Sequence, residues 1–277
     1  MITNRSVLNK KEISFYNKEG FLCIKNFFDK KLIKELNSSI ILSLDEFLKK
    51  KKLYNSLKKL STHEKLYKFR KKYPIYFSEF FDALQTIANI YPPLVKKKVL
   101  LIVEQLLNVS KDFVTLTDVA IRLDSPNDNR NSLEWHQDSS YYYQNDLGKN
   151  GLVVWSPLIQ NLTYAMGPLE FLPKSQKGGT LFTLKKKNRN KLHSRKVSIP
   201  QSKIQKYLKN LKSILINQSD VLLMNMDMIH RSGFNKSDKF RVSLLGRYHN
   251  SSSNDFNPGK NLYNYINKHI NKKVHGF

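Results

Sequence analysis

Hydrophobic residues in the first part of the chain recur at the spacing of α-helices. Asp29 is a residue type that caps helix N-termini. It precedes apolar side chains on one helical face, at positions 32, 33, 36, 40, 44 and 47. Just before it, residues 20–25 (GFLCIK) have the length and composition of a short strand. The pattern therefore predicts a strand followed by a long amphipathic helix.

Local start signals predict further helices up to about residue 110. Ser61 is followed three residues later by Glu64, which is the form of a capping box. Pro74 is suited to the first turn of a helix and is followed by Phe77, Phe81 and Leu84 at helical spacing. The Pro-Pro pair at 92–93 is expected to end that helix, and another is predicted over residues 94–107.

From about residue 113 the pattern changes to short runs rich in β-branched and aromatic residues. Loops bearing Asn, Asp, Gly, Ser or Pro separate them, and the predicted strands are residues 113–123, 151–160, 167–172, 195–199, 220–228 and 240–249. This spacing is typical of an antiparallel sandwich or jelly roll rather than a βαβ array. A helix is also predicted over residues 261–273.

The expected fold is therefore mainly β with flanking helices. We expect one domain over residues 1–277, in which a mostly helical region (1–110) precedes a jelly-roll core (111–250). Residues 251–277 form a tail in this division.

Composition limits the cellular compartments in which the protein is expected. Cys23 is the only cysteine, which excludes an internal disulfide and a thiolate metal cluster. No run of about 20 apolar residues predicts a membrane span, and the first residues lack the apolar core of a secretory signal. A cytoplasmic location is the expectation; oligomeric state is left open.

The charge is strongly basic, with 48 Lys and Arg against 22 Asp and Glu, a formal net charge of +26. Lysine runs at residues 49–52, 96–98 and 185–187 contribute to it. Such an excess attracts nucleic acid, acidic membranes or anionic substrates. A chain generally rich in Lys, Asn and Ile would have the same positive charge without that charge serving a function. Nucleic acid is not the favoured partner, because no basic motif interleaved with aromatic residues is present.

The stretch at residues 134–140 (EWHQDSS) carries the most informative chemistry. His136 and Asp138 are two residues apart, so an extended strand would place both side chains on one side. A third ligand from a distant strand would complete the two-histidine, one-carboxylate facial triad of iron(II) oxygenases. Taken alone the His-x-Asp pair is a weak signal, and an ordinary ion pair is the competing interpretation.

A second histidine and an arginine near the end of the chain strengthen the signal. An apolar run from Asp220 ends in His230, and Arg241 follows 11 residues later. Two adjacent antiparallel strands would set His230 and Arg241 side by side. An iron-bound 2-oxoglutarate needs a fixed planar cation for its far carboxylate, which a guanidinium supplies.

These pieces together resemble the phytanoyl-CoA dioxygenase family, within the double-stranded β-helix oxygenases. The matching segments are residues 17–28, 135–138, 154–158, 167–173 and 230–241. The resemblance implies that His136, Asp138 and His230 are the iron ligands. It also implies that Arg241 binds the distal carboxylate of 2-oxoglutarate with the Ser232 hydroxyl as helper.

The same resemblance places Gln137 and Trp155, and with less support Arg122, in the lining of the co-substrate pocket. Trp135 and residues 141–143 are candidates for the substrate cavity, and Arg247 faces either that cavity or solvent. The other five histidines, at 63, 193, 249, 269 and 275, are expected at the surface or in ordinary hydrogen bonds. Residues 166–167 and 173–176 depart from the family pattern, which leaves the substrate open.

The function expected from this resemblance is hydroxylation of an unactivated C–H bond with release of succinate and CO2. Iron(II), 2-oxoglutarate and O2 are the implied cofactors, and a small molecule is the implied substrate. The basic balance favours an anionic one. Two alternatives remain: a polyanion-binding protein with a vestigial site, and an oxygenase that performs desaturation or ring closure.

Overall fold

The computed structural model describes residues 8–128, 132–140, 148–158, 162–181, 184–186 and 196–256. Its α-helices are α1 (Lys10–Glu19), α2 (Lys30–Lys50), α3 (Tyr54–Leu57), α4 (Thr62–Lys72), α5 (Pro74–Leu84), α6 (Pro92–Val95), α7 (Lys97–Leu107) and α8 (Gln201–Ile204). The residues before position 110 are therefore mostly helical, as their hydrophobic spacing predicts.

Three of the predicted helix starts are confirmed. The Asp29 carboxylate accepts the backbone N–H groups of Lys31 and Leu32 at the start of α2. Ser61 and Glu64 form a reciprocal capping box at the start of α4. Pro74 occupies the first turn of α5.

The proline pair at 92–93 begins a helix, whereas it was expected to end one. Helix α5 already ends at Leu84, and Pro92 begins the short helix α6. The predicted helix over residues 94–107 is divided at Lys96, whose extended backbone separates α6 from α7. Proline is favoured at the first helical position, where its missing N–H has no partner to lose.

Helix α1 was not among the predicted elements. Asn9 and Glu12 form a capping box at its start, and Gly20 ends it with a positive φ of 85°. A side chain is disfavoured at this φ, so glycine suits the position.

The described strands are β1 (Phe21–Ile24), β2 (Val114–Asp124), β3 (Gly151–Pro157), β4 (Leu169–Phe171), β5 (Leu184–Lys186), β6 (Lys196–Ser198), β7 (Lys212–Ser213), β8 (Val221–Asn225), β9 (His230–Ser232) and β10 (Arg241–Asn250). Five form an antiparallel sheet in the order β1-β8-β3-β10-β2, which we call the large sheet. The small sheet is β7-β4-β9, also antiparallel, and β5 pairs with β6.

Alternating residues of the large sheet enter two different cores. On β3, Leu152 and Val154 pack in one cluster with the helices, whereas Val153 and Trp155 pack in a second cluster with the small sheet. The second cluster includes Phe171 of β4. The order of layers is therefore helices, large sheet, small sheet, as expected when successive strand residues point to opposite faces.

The observed class is a mixed fold of helices and antiparallel sheets. The expectation of a mainly β protein is too strong, because the described residues form more helix than strand. The helix predicted over residues 261–273 lies outside the described residues. Within the described ranges, no helix combines the length and apolarity needed to cross a membrane.

The helical layer is joined to the large sheet by a buried hydrogen bond. The Tyr248 hydroxyl on β10 donates to the carbonyl oxygen of Leu94 on α6 over 2.6 Å. Tyr248→Phe removes the donor and is expected to lower the free energy of unfolding by about 1–2 kcal/mol. Urea unfolding followed by circular dichroism measures this change.

The control for this test is Tyr91→Phe, since the Tyr91 side chain is 45% exposed. An exposed substitution is expected to change stability by at most about 0.5 kcal/mol. Equal effects of the two variants would contradict a stabilising role for the Tyr248 hydroxyl.

Candidate metal centre

Three buried side chains converge at one point between the two sheets. The Nε2 atoms of His136 and His230 each lie 3.6 Å from Oδ1 of Asp138. One ligand atom from each residue lies within 4.8 Å of the other two. Bonds of about 2 Å to one ion would bring the three atoms to the corners of a coordination face. The donor set therefore fits a single divalent metal.

The two histidines are neighbours through their backbones. His136 and His230 exchange both backbone hydrogen bonds at 2.9 Å, forming an isolated antiparallel bridge. Asp138 opens a 3-10 turn, Asp138–Ser140, rather than continuing a strand. The expectation that one extended strand carries His136 and Asp138 is therefore wrong, although both side chains reach the same point.

His230 also lies elsewhere than its sequence context suggests. Strand β8 ends at Asn225, whose side chain accepts the N–H of Asp227 and whose carbonyl accepts the N–H of Met228. This turn carries the chain to the small sheet, where His230 begins β9.

His230 and Arg241 accordingly do not lie on adjacent strands. Strand β9 pairs with β4, whereas β10 pairs with β2 and β3, so the two residues lie on different sheets. Both nevertheless line one cavity of about 30 Å³, which we call the central cavity.

Backbone carbonyls hold the imidazoles in a metal-binding orientation. Nδ1 of His136 lies 2.7 Å from the Glu134 carbonyl oxygen, and Nδ1 of His230 lies 2.9 Å from that of Met228. Each Nδ1–H can donate to its carbonyl, which leaves the Nε2 lone pair for a metal. Burial, reinforced by His136, lowers the pKa of His230 to about 4, so the ring is neutral at pH 7.

Asp138 has separate partners for its two oxygens. Oδ1 faces the histidines, whereas Oδ2 accepts a hydrogen bond from Nε of Arg247 over 2.8 Å. Burial alone would raise the pKa of Asp138, but Arg247 and the two imidazoles hold it well below its usual value. The carboxylate is therefore ionised, as a metal ligand must be. Arg247 is buried rather than in solvent, which decides the question its sequence context left open.

Two arginines lie at the other end of the central cavity. Nε and Nη2 of Arg241 donate to Oδ2 of Asp124 over 3.2 and 2.9 Å, and Nη2 of Arg122 donates to its Oδ1 over 3.0 Å. Burial opposes ionisation of Asp124, but Arg122 and Arg241 outweigh it and lower the pKa to about 2. The buried Nη1 atom of Arg241 has no hydrogen-bond partner among the described residues. An anion in the cavity would supply the missing acceptor.

The structure brings most of the predicted site residues together. The central cavity is lined by His136, Asp138, His230, Arg241, Ser232, Trp155 and Arg122, together with Asp124, Leu133, Val153, Leu169, Met224, Leu245 and Arg247. The side chain of Arg122 also reaches the Ser232 hydroxyl, over 3.4 Å. Asp124 has no counterpart among the sequence-predicted residues, since an acid there is informative only once Arg122 and Arg241 are known to face it.

Gln137 is the exception, and its prediction as a pocket residue is wrong. Its amide NH2 donates to the carbonyls of Gly179 and Asp227, and its Oε1 accepts the N–H of Leu181. These three bonds join Gln137 to the loops that carry Gly179, Leu181 and Asp227.

The remaining predicted residues have varied outcomes. Trp135 lines a wider depression of about 1020 Å³ that shares Leu133 and Ser232 with the central cavity, and its contact with substrate stays a prediction. His63 makes an ordinary hydrogen bond to the N–H of Phe240, as expected. His249 is fully buried, so of its two expectations, a surface position or an ordinary hydrogen bond, the first is excluded. Residues 141–143, 193, 269 and 275 lie outside the described ranges.

Comparison with known proteins gives a family match over most of the chain. The sequence profile of the phytanoyl-CoA dioxygenase (PhyH) family matches residues 16–243. A search among curated proteins gives no match.

Three solved structures illustrate the similarity of fold. EvdO2 from Micromonospora carbonacea var. aurantiaca, complexed with 2-oxoglutarate, is 13% identical, with 91% of this chain and 95% of EvdO2 covered and a TM-score of 0.58. EctD from S. alaskensis, with 2-oxoglutarate and 5-hydroxyectoine, is 11% identical, with 91% and 82% covered and a TM-score of 0.57. SnoK, an α-ketoglutarate-dependent carbocyclase from nogalamycin biosynthesis, is 14% identical, with 92% and 90% covered and a TM-score of 0.56.

The ion pairs of Asp124 lead to a pH-dependent prediction. Its pKa in the folded chain, about 2, lies below the usual aspartate value of 3.8, so the ionised carboxylate stabilises the fold by roughly 2 kcal/mol at neutral pH. This contribution is complete above about pH 4 and is lost as the pH falls toward 2. Asp124→Asn should therefore be less stable than wild type at pH 7 by at least roughly 2 kcal/mol. The difference should shrink below pH 4.

Urea unfolding at several pH values measures this difference. Asp238→Asn, on the exposed loop before β10, is the control and should unfold like wild type throughout. A stability gap for Asp124→Asn that stays constant down to pH 2 would argue against the depressed pKa.

Proposed function

The chain belongs to the phytanoyl-CoA dioxygenase family, and from this membership we propose that it is an iron(II)- and 2-oxoglutarate-dependent dioxygenase. One observation carries the proposal. The cavity that holds the convergent ligand atoms of His136, Asp138 and His230 also receives the guanidinium of Arg241, which retains an unsatisfied donor. A metal-chelating oxo acid with a second carboxylate matches the chemistry of both ends of this cavity.

Each residue has a definite task in this proposal. His136, Asp138 and His230 hold iron(II), and Nη1 of Arg241 donates to the distal carboxylate of 2-oxoglutarate. Iron(II) with 2-oxoglutarate and O2 supplies the oxidising power to cleave an unactivated C–H bond, with release of succinate and CO2.

The unmet donor of Arg241 supports the orientation of the co-substrate. Arg122 and Arg241 both pair with Asp124, and Nη1 of Arg241 is left without an acceptor among the described residues. The distal carboxylate of 2-oxoglutarate would supply that acceptor. It would also approach Ser232, whose hydroxyl already lies beside Arg122. This end of the cavity thus selects a ligand that ends in a carboxylate.

The walls of the central cavity serve to exclude water. Trp155, Met224 and Leu245 of the large sheet face Leu169 of the small sheet across it. An apolar enclosure strengthens the charged contacts inside and protects a reactive oxidant from side reactions. We propose that the two facing sheets form the double-stranded β-helix of this enzyme class.

Hydroxylation of a small molecule is the reaction we propose, with anionic substrates favoured by the basic charge. EctD with bound 5-hydroxyectoine and the carbocyclase SnoK share the fold, and ring closure therefore remains an alternative outcome of the same site. Analysis of the product distinguishes them.

Three lysines of the first two lysine runs have local partners, which favours the oxygenase over a polyanion-binding protein. Lys49 lies near the carboxyl end of α2 and bonds Glu46, Lys51 bonds Glu79, and Lys98 donates to the Phe27 carbonyl. Cations near a helix C-terminus also interact favourably with the partial negative charge of the helix dipole there. Polyanion binding stays a prediction with no described contact in its favour.

Anaerobic titration of the metal-free protein with iron(II) and then 2-oxoglutarate tests the proposal. The chelate is expected to give a weak visible charge-transfer band, because both ligands must meet at one iron. The band should be lost in His136→Ala and His230→Ala and kept in His63→Ala, since His63 lies outside the central cavity. A folded, iron-loaded protein that gives no band would contradict the assignment.

Removing the cationic clamp tests the co-substrate. Arg241→Ala should raise the 2-oxoglutarate concentration at half-maximal band intensity by about 10- to 100-fold, because a charge-assisted contact is lost. Binding of iron(II) alone should change little. Arg231→Ala is the control, since Arg231 pairs with Glu170 instead of facing the cavity. An unchanged requirement in Arg241→Ala would refute the assignment of 2-oxoglutarate.

A further inference from the structure

Arg247 joins two carboxylates of different character. Its Nε donates to Oδ2 of Asp138 over 2.8 Å, and its Nη1 donates to Oδ2 of Asp118 over 2.5 Å. The side chains of Arg247 and Asp138 are 8% and 3% exposed, whereas Asp118 is 33% exposed. The guanidinium is thus fixed at its outer end by Asp118 and holds Asp138 at its inner end.

The pairing of β10 with β2 is irregular beside Arg247 and Asp118. Arg247 lies opposite Asp118 in the register of β10 and β2, but Tyr248 lies opposite Leu116. The extra residue, Thr117, shifts the register between Arg247 and Tyr248. Asp118 can therefore face inward with Arg247 while Leu116 packs with Tyr248 in the cluster shared with the helices. Bulges of this kind are common beside active sites, where they redirect a side chain.

From this geometry we infer that Arg247, anchored by Asp118, is a positioning residue that presents only Oδ1 of Asp138 to the metal. The inference rests on the iron site proposed above. A carboxylate that is free to rotate can offer both oxygens to one ion. Oδ2 is committed to Arg247, so Asp138 occupies one coordination position and leaves room for a bidentate co-substrate.

The guanidinium is suited to this task in a way that lysine is not. Its donors are fixed in one plane, so the bond to Asp118 sets the direction of the bond to Asp138. A lysine keeps the charge but carries its donors on a flexible stem. Replacing Arg247 by Lys therefore removes the directional constraint and retains the electrostatic attraction.

Cobalt(II) binding to the metal-free protein tests the inference, because its visible d–d spectrum reports ligand geometry without turnover. Arg247→Lys and Arg247→Met are expected to weaken cobalt(II) binding about 10- to 100-fold, the usual effect of losing a partner of a metal ligand. Their d–d bands should also shift. Asp118→Asn, which loosens the anchor and keeps Arg247, should change the spectrum in the same direction by a smaller amount.

A matched control is available in the helical region. Arg70 is a buried arginine whose Nε donates to Oδ2 of Asp128 over 2.7 Å, outside the central cavity. Arg70→Lys should bind cobalt(II) with the affinity and spectrum of wild type. Circular dichroism establishes that each variant is folded, and Arg247→Lys and Asp118→Asn carry the test if Arg247→Met does not fold.

The outcomes separate this inference from the proposed function. If wild type binds cobalt(II) and folded Arg247→Lys binds it with the same affinity and spectrum, the positioning role is overturned and the metal site stands. If wild type itself does not bind, the metal site fails and the inference fails with it.

Discussion

Ionised side chains buried between two apolar sheets are the constraint on which the rest of this structure depends. Moving a charge from water into such an interior costs on the order of several kcal/mol, so each must meet a partner of opposite sign. Asp124 meets Arg122 and Arg241, and Asp138 meets Arg247. These side chains are held by two paired strands, β2 and β10, except for Asp138. The register of that one strand pair therefore sets the charge pattern of the central cavity.

The opposite face of β10 explains why its register can be held so firmly. Val242, Leu244 and Tyr248 pack in the cluster that the sheet shares with the helices. Gly246 lies where a Cβ atom would come within 2.9 Å of the Leu94 side chain, so the absence of a side chain lets α6 approach. Shifting β10 by one residue would turn its charged face toward the helices and its apolar face toward the central cavity. Packing of the helices against β10 thus fixes the strand register on which the site depends.

Local signals account for what the sequence could predict. Asp29, Ser61 and Pro74 mark helix starts by chemistry that acts within three residues, and all three predictions are confirmed. Helix α1 carries a comparable signal in its capping pair, Asn9 and Glu12.

The failures depend on tertiary structure instead. The run from Asp220 to His230 is almost continuously apolar, so its division between two sheets at Asn225 is not visible in its periodicity. Likewise, the direction of Gln137 depends on Gly179, Leu181 and Asp227, which are distant in sequence. The family resemblance supplied the site residues that spacing alone could not, but it assigned Gln137 by motif position and so placed it on the wrong side.

The two arginines of β10 have different roles in the site, because each has different N–H donors already bonded to carboxylates of the protein. Arg241 uses Nε and Nη2 on Asp124 and keeps a buried Nη1 for which the described residues offer no acceptor. Arg247 uses Nε on Asp138 and Nη1 on Asp118, so its two sides are tied to the protein. A buried donor without an acceptor is stabilised when a ligand supplies one, whereas a side chain that is hydrogen-bonded at both ends is held in place. The same side chain, six positions apart on one face of one strand, is therefore suited to ligand capture at Arg241 and to rigid support at Arg247.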